Sequence, residues 1–460
     1  MSHTLVDFLE KAEKKSFDPE HRKRLDFNIS KYDAKVREGK LQYTDIELAK
    51  KRAANTKYKV LSNLDRYLLE FETNFTRNGG KLIWASSEKD AHKELINIVK
   101  RSDAKLIVKQ KTMLSEELEI NELLKKNHRE VVETDLGEFI VQIAGEKPYH
   151  ILTPAMHKSK EDVAALFHQK FGTPPESKPE EITMFVRGLL REKFIHADIG
   201  ITGGNFLVAD TGAVVLVENE GNGLLSYAFP KIHIAIVGIE KIIPSLEDLD
   251  LFLPLLSTLG TGQHITVYNN IITGPKTSTE PDGPDEMYVI LIDNGRTDLL
   301  KLPEQRSALS CIRCGACLNG CPVYRSIGGY TYGAVYSGPI GSVISPHYLG
   351  LKEYNHLSYA SSLCGKCTEI CPLKIPLHEL LLYNRHDTVK SGYSKSSWKF
   401  IMFGWKKVML NRWMLDKTGS ALKNRFLKMF FRKHWGQRRE LPLVAKKNFR
   451  QLWSEKQREN

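Results

Sequence analysis

Seven cysteines lie in two runs between residues 311 and 371, and their spacing restricts this chain more than any other feature. The first run is Cys311-x2-Cys314-x2-Cys317-x3-Cys321-Pro322. Three thiols at steps of three let a tight loop wrap one corner of a cuboidal iron–sulfur cluster, each meeting a different iron. The fourth is carried away by a helical turn to the other cluster of a pair. Pro322 removes one backbone donor after it, and Gly315 leaves the loop without a side chain where the backbone nears inorganic sulfide.

The second run is Cys364-x2-Cys367-x3-Cys371-Pro372. Aligned on the Cys-Pro ends, the missing first cysteine falls on Ser361. Crossing the fourth ligands assigns Cys311, Cys314, Cys317 and Cys371 to cluster 1, and Cys321, Cys364 and Cys367 to cluster 2. Both would be [4Fe–4S]-type. The last corner of cluster 2 is left to Ser361, to a water, or to nothing, and in the last case the cluster is [3Fe–4S]. The competing reading is structural zinc, which uses two C-x2-C pairs around a tetrahedral ion. Zinc needs neither a third cysteine at the same step nor a proline after the fourth. A radical-generating site would have the x3 step before the x2 step. Two clusters with interleaved ligands lie close together, which makes an electron wire; a brace for the fold is the plainer alternative.

The 460 residues suffice for two or three domains of roughly 100–200 residues. With 41% hydrophobic and 27% charged residues, ordinary buried cores are expected. Met1–Phe17 is charged and has no apolar signal-peptide region. No run of about 18 apolar residues suggests a spanning helix. The expectation is a cytoplasmic protein with reduced thiols.

Strands alternate with helices from residue 63. Lys81–Ala85, Lys105–Lys109, Val131–Thr134, Phe139–Gln142, Phe206–Ala209, Ala213–Val217, His233–Val237 and Tyr288–Asp293 read as strands. Glu88–Lys100, Leu114–Asn127 and Lys160–Phe171 read as helices. The fold class is therefore α/β with a largely parallel sheet. Four regions are expected: helices over 1–62, with a start at Asp18-Pro19; the α/β domain over 63–300; a helical dicluster module over 301–385; and a basic aromatic region over 386–460.

That last region holds most of the charge. From Leu381 to Asn460 there are 20 Lys or Arg against 5 Asp or Glu, and five of the six tryptophans: Trp398, Trp405, Trp413, Trp435 and Trp453. Packing on the rest of the chain, docking to a partner, and binding an anionic membrane surface all fit. No nucleic-acid module accompanies the charge.

Within 198–244, Thr202-Gly203-Gly204 and Asp210-Thr211-Gly212 are turns, read either as hairpin chemistry or as anion-binding backbone. Glu218 and Glu220 read as a solvated strand end before an acid/base pair. His157 and His233 read as structural. Gly260-Thr261-Gly262 lacks the third glycine and the βαβ context of a dinucleotide site. No catalytic residue is assigned. Clusters move single electrons, so the two-electron oxidation of an organic substrate needs a second cofactor or site.

The 198–244 segment, CIRCGACLNGCPVY, YGAVYSGPIGSVISP, SSLCGKCTEICPLKIP and SSWKFIMFGWKKVMLNRWM together resemble the lactate utilization protein B family, the iron–sulfur proteins of lactate-utilization operons. The resemblance spans nearly the whole chain. It implies a LUD domain with the α/β fold shared by CoA transferases and ribose-phosphate isomerases. It further implies an electron carrier acting with two other lactate-utilization proteins in the oxidation of L-lactate to pyruvate. The family's ligands fall on the seven cysteines named above, and the family is likewise one cysteine short at Ser361. An enzyme that binds the hydroxy acid in its own LUD domain, and a redox-sensing scaffold, are the alternatives.

Overall fold

The computed structural model describes residues 3–394, 396–417, 419–435 and 439–459. Asp18 caps the helix Pro19–Gly39 by accepting the His21 N–H, with Pro19 at the first position, where its missing N–H costs nothing. Asp45 caps Ile46–Ser62 in the same way. Leu64–Arg77 follows, burying Leu64, Leu68, Phe71 and Phe75 on one stripe.

Ten strands build two sheets. They are β1 (Lys81–Ala85), β2 (Leu106–Lys109), β3 (Glu130–Glu133), β4 (Ile199–Thr202), β5 (Phe206–Val208), β6 (Ala213–Glu218), β7 (Ile232–Gly238), β8 (Ile242–Ile243), β9 (Tyr268–Ile272) and β10 (Glu286–Ile292). The larger sheet runs β1-β10-β7-β4-β2-β3, parallel throughout. Its central strands are apolar on both faces, as a doubly covered parallel sheet requires. A smaller sheet, β8-β5-β6-β9, contains antiparallel pairs around β6. The alternation of strands and helices along the sequence points to the parallel sheet but not to the second one.

Two segments differ from their sequence reading. Phe139–Gln142 is not a strand; it lies inside the helix Leu136–Ala144. Asp135 caps that helix through the Glu138 N–H, and Gly145 ends it at φ 70°. Phe139 and Ile140 pack into one apolar cluster with Phe167, Val186 and Phe194, and Val141 is buried as well, so tertiary burial overrides the β propensity of the run. Leu114–Asn127 breaks into Met113–Glu117 and Ile120–Lys126 at Glu119, whose φ is 46°.

Met1–Asp387 forms one compact unit and Thr388–Asn460 a second. In the first unit a single apolar core joins Phe8 and Ala53 of the N-terminal helices, Phe206 and Val215 of the small sheet, Phe252 and Leu259 of the helix Leu249–Thr261, and Ile312, Cys314, Cys317 and Tyr324. The cysteine segment is thus built into the same core as the α/β domain. In the second unit the helices are Ser396–Met409, Arg412–Lys417, Ser420–Trp435 and Phe449–Glu459. Trp398, Phe403, Trp405 and Trp413 are exposed there. No described helix is long and apolar enough to cross a membrane.

Candidate functional site

The two cysteine loops repeat one backbone geometry. After Cys311 the chain turns through left-handed residues Arg313 (φ 60°) and Gly315 (φ 77°); after Ser361 it turns through Leu363 (φ 55°) and Gly365 (φ 78°). A non-glycine residue in this region costs ~1 kcal/mol, so Arg313 and Leu363 mark deliberate turns. In the first loop the Arg313 N–H donates to Cys311 Sγ at 3.4 Å. In the second the Leu363 N–H donates to Ser361 Oγ at 3.1 Å. Short helices, Ala316–Asn319 and Lys366–Ile370, then carry the chain to Cys321-Pro322 and Cys371-Pro372. Cys321 Sγ accepts the Tyr324 N–H at 3.5 Å. Gly315 is required by its left-handed turn and by Leu152, whose side chain lies 3.0 Å from where a Cβ would be.

The seven thiols fall into two groups. Cys311, Cys314, Cys317 and Cys371 line one small, mostly apolar cavity with Ile151, Ile340 and Leu377. Burial pushes the Cys371 thiol up to about 12, with the charge of Cys311 adding to it. Burial also raises Cys314 and Cys317, followed in both by Cys311. The other group is Cys321, Cys364 and Cys367. Burial pushes Cys367 up to about 11, with Cys321 next among the causes and Cys364 contributing. Cys364 is exposed, and Ser361 stands three residues before it, partly exposed.

This donor set fits cuboidal clusters better than single ions. Four thiolates on one zinc stand roughly 3.8 Å apart, given a Zn–S bond of ~2.3 Å. Among the described residues the one trio of ligand atoms within 4.8 Å of one another is Glu116, Glu133 and Glu138. The sulfurs are spread more widely, as a ligand set with one iron per thiolate requires. Burial raises Cys314, Cys317, Cys321, Cys367 and Cys371, so an apolar surrounding disfavours their bare thiolates and a bound metal centre would offset that cost.

Beside the four-cysteine cavity lies a crevice of about 410 Å3. It opens at the carboxyl ends of β2, β4 and β7 and includes Thr112, Gly203, Asn205, Lys241, Arg313 and Cys314 in its walls. The chain leaves β2 for β3 on one side and β4 for β7 on the other. The crevice is therefore at the topological switch point, where open parallel sheets bind ligands. Gly260 also lines it; a Cβ there would sit 2.7 Å from the Cys314 carbonyl, so only glycine lets the helix Leu249–Thr261 abut the cysteine loop.

A buried ionic network joins the two modules. Arg296, 1% exposed, donates to Glu240 at 2.8 Å and to both oxygens of Glu117 at 3.0 and 2.9 Å. Tyr336 donates to Glu117 at 2.5 Å. Arg313 stands 3.8 Å from Glu240 and lies over the Tyr336 ring at 4.5 Å. Burial alone would raise Glu240, but Arg296, then Lys241 and Arg313, hold it at about 2. Lys57 donates to the carbonyls of Glu240 and Ile242 at 2.5 and 3.0 Å. Burial brings Lys57 down to about 7 and Lys241 down to about 8.

The remaining sequence candidates separate cleanly. Thr202-Gly203-Gly204 ends β4 at the crevice, whereas Asp210-Thr211-Gly212 is the β5–β6 turn, closed by the Gly212 N–H donating to the Val208 carbonyl at 2.9 Å. Glu218 is not a solvated strand end. It is buried and caps the helix Asn222–Ala228 through the N–H groups of Gly223 and Leu224 at 2.6 and 2.8 Å. Glu220 is the exposed one of the pair and accepts the Leu136 N–H at 3.2 Å. His157 bonds Glu146 at 2.7 Å, and the buried His233 bonds Thr202 at 2.8 Å. The residues that sequence reading missed are Glu117, Glu240, Lys241 and Arg296. The signal for two of them was present: Glu240-Lys241 interrupts an apolar run between Ile239 and Ile242.

An α/β domain with a switch-point crevice, fused through one core to a doubled cysteine module, defines a two-module iron–sulfur protein. The comparisons give the same division. Residues 68–292 match the LUD domain and residues 307–375 the 4Fe-4S dicluster domain. Lactate utilization protein B of Bacillus licheniformis is 43% identical over 415 residues, covering 87% of this chain and 86% of that protein. Its counterpart from Bacillus subtilis is 43% identical over 413 residues, covering 86% and 85%. A solved DUF162 family protein from Deinococcus radiodurans aligns at 13% identity and a TM-score of 0.29, covering 50% of this chain and 98% of that one. The chain belongs to the lactate utilization protein B family.

Proposed function

We propose that this chain is an iron–sulfur electron carrier in lactate utilization, serving the oxidation of L-lactate to pyruvate. The observation that carries the reading is the division of seven thiols into a set of four and a set of three, each set drawing on both cysteine runs. Cluster 1 takes Cys311, Cys314, Cys317 and Cys371. Cluster 2 takes Cys321, Cys364 and Cys367, with Ser361 at its fourth corner.

The clusters supply one-electron storage, at potentials set by charge, hydrogen bonds and exposure around the sulfurs. The chain's own residues set those terms. Ile151, Ile340 and Leu377 keep water from the first cavity. The Arg313 and Tyr324 N–H groups donate to ligand sulfurs, and Arg313 and Lys241 supply positive charge beside Cys311. Conversion of lactate to pyruvate releases two electrons and two protons, a step for the site or cofactor of a partner, while the cysteines of this chain would hold two clusters able to store one electron each. The other two lactate-utilization proteins are the proposed partners, and the basic aromatic unit Thr388–Asn460 the docking segment of a cytoplasmic carrier.

The test is anaerobic purification, iron and sulfide analysis, and electron paramagnetic resonance with L-lactate, with and without the partner proteins. Reduction that needs the partners supports the carrier. Reduction by lactate alone makes the chain an enzyme in its own right. Stoichiometric zinc without labile sulfide removes the reading.

A further inference from the structure

Away from the cysteines, the carboxyl ends of β2 and β3 bury more negative charge than the nearby side chains balance. Glu133 closes β3 and is 1% exposed; Glu138, on the helix Leu136–Ala144, is 3% exposed. Together with Glu116 of the helix Met113–Glu117 they bring one oxygen each within 4.8 Å of one another, at a pocket of about 230 Å3. Lys109, at the end of β2, faces them at 2.7 Å from Glu133 Oε1 and 3.7 Å from Glu116. Asn121 Nδ2 donates to the same Glu133 Oε1 at 2.7 Å. Both donors thus fall on one oxygen. Glu133 Oε2, Glu138 Oε1 and Asn121 Oδ1 are buried and have no hydrogen-bond partner, and all three residues line the pocket. Buried acceptors left in this state are costly and rare. The lysines of the pocket mouth are engaged elsewhere: Lys125 with Glu122 at 3.3 Å, Lys147 with Glu119 at 3.7 Å. Burial raises the Glu138 carboxyl, the charge of Glu133 adds to it, and Lys109 and Lys111 oppose it only in part.

We infer that Glu116, Glu133, Glu138 and the side-chain carbonyl of Asn121 hold one hard divalent cation, calcium or magnesium. Carboxylates with an amide carbonyl, all oxygen, are the donor chemistry of these ions. The ion gives Glu133 Oε2, Glu138 Oε1 and Asn121 Oδ1 the positive partner that no N–H or O–H supplies. Its two charges and the one of Lys109 balance three carboxylates. Lys109 keeps its place on Glu133 Oε1 and orients that ligand from behind. The four side chains come from β3 and from the helices Met113–Glu117, Ile120–Lys126 and Leu136–Ala144, so the ion ties four elements together. Glu116 precedes Glu117, which receives Arg296 and Tyr336, and the ion would therefore steady one end of that ionic network. The site is independent of the proposed clusters, since no cysteine lines this pocket. The rival occupant is a proton held between Glu133 and Glu138.

Isothermal calorimetry on the full-length, anaerobically prepared protein at pH 7 is the test, after dialysis against a chelator, with calcium chloride and magnesium chloride at constant ionic strength. At least one of the two ions is expected to bind saturably at one per chain and to raise the melting temperature. Glu138→Gln keeps the shape of the side chain and removes one charged ligand; it should weaken that binding about 10-fold or more and abolish the rise in melting temperature. Glu122→Gln, at the exposed mouth, should leave binding within about 2-fold, because an exposed pair with Lys125 contributes little. Circular dichroism and iron content confirm that each variant is folded; if Glu138→Gln is not, Glu116→Gln takes its place with the same expected loss. No saturable heat with either ion, and a melting temperature indifferent to both, would assign the pair its proton and overturn the inference. Equal binding by the unaltered protein and a folded Glu138→Gln variant overturns it as well, since the ion would then sit on surface carboxylates. Protein that binds the ion but lacks iron and sulfide would overturn the proposed function and leave this inference standing.

Discussion

The Leu363 N–H donates to Ser361 Oγ at 3.1 Å, in the same loop geometry in which the Arg313 N–H donates to Cys311 Sγ. Ser361 therefore stands in its loop where Cys311 stands in the first and carries oxygen where its counterpart carries sulfur. Ser361→Cys should complete the second ligand set and lengthen the survival of cluster 2 in air, read by the decay of its paramagnetic signal. An unchanged decay would place the fourth corner elsewhere.

The two thiol groups predict unequal responses to ligand loss. The anaerobic protein should hold about seven to eight irons. Cys314→Ser should cripple cluster 1 and leave the signal of cluster 2. Cys367→Ser should cost cluster 2 most of its iron, since two thiolates would remain. Loss of both signals in both variants would mean that the groups do not act separately.

Glu240 links stability to pH. Its folded value, about 2, lies below the ordinary 4.5, so its contribution is fully present above about pH 4.5 and is lost as pH falls toward 2. Glu240→Gln should therefore destabilise the protein at pH 7 by ~3 kcal/mol, leaving Arg296 and Arg313 short of a buried partner. The difference from the unaltered protein should shrink at pH 3. Urea unfolding at both values checks this; a difference independent of pH would remove Glu240 as the source.

Gly260→Ala would place a methyl group 2.7 Å from the Cys314 carbonyl. Overpacking of this kind costs about 1–3 kcal/mol. The urea midpoint should fall and the cluster 1 signal should broaden, while cluster 2 stays as it was. A neutral substitution would show that the helix can withdraw from the loop.

Truncation after Asp387 follows the boundary between the two compact units. If Thr388–Asn460 docks partners, the shortened chain should keep both clusters and lose association that weakens with salt. Unchanged binding to the partner proteins and to anionic vesicles would take the docking role from this segment.

The chemistry was legible in the sequence because it is local. A cysteine loop places its own thiols within seven residues, so spacing alone separated Cys311–Cys317 from Cys364–Cys367 and marked Ser361 as the gap. The parallel sheet was legible for the same reason: β7 and β10 are continuous apolar runs that only a doubly covered sheet can bury. Where local preference and burial conflicted, burial won. Phe139–Val141 has a strand's composition, yet it folds as helix between Asp135 and Gly145, where Phe139 and Ile140 find cover in the cluster of Phe167 and Phe194 and Val141 is buried too. The crevice and its ionic network were decided by tertiary structure alone. Glu117, Glu240, Arg296 and Arg313 are separated by up to 196 residues of chain, and no spacing rule connects them. Sheet order brings the ends of β2, β4 and β7 together, and one shared core holds the cysteine loop against them.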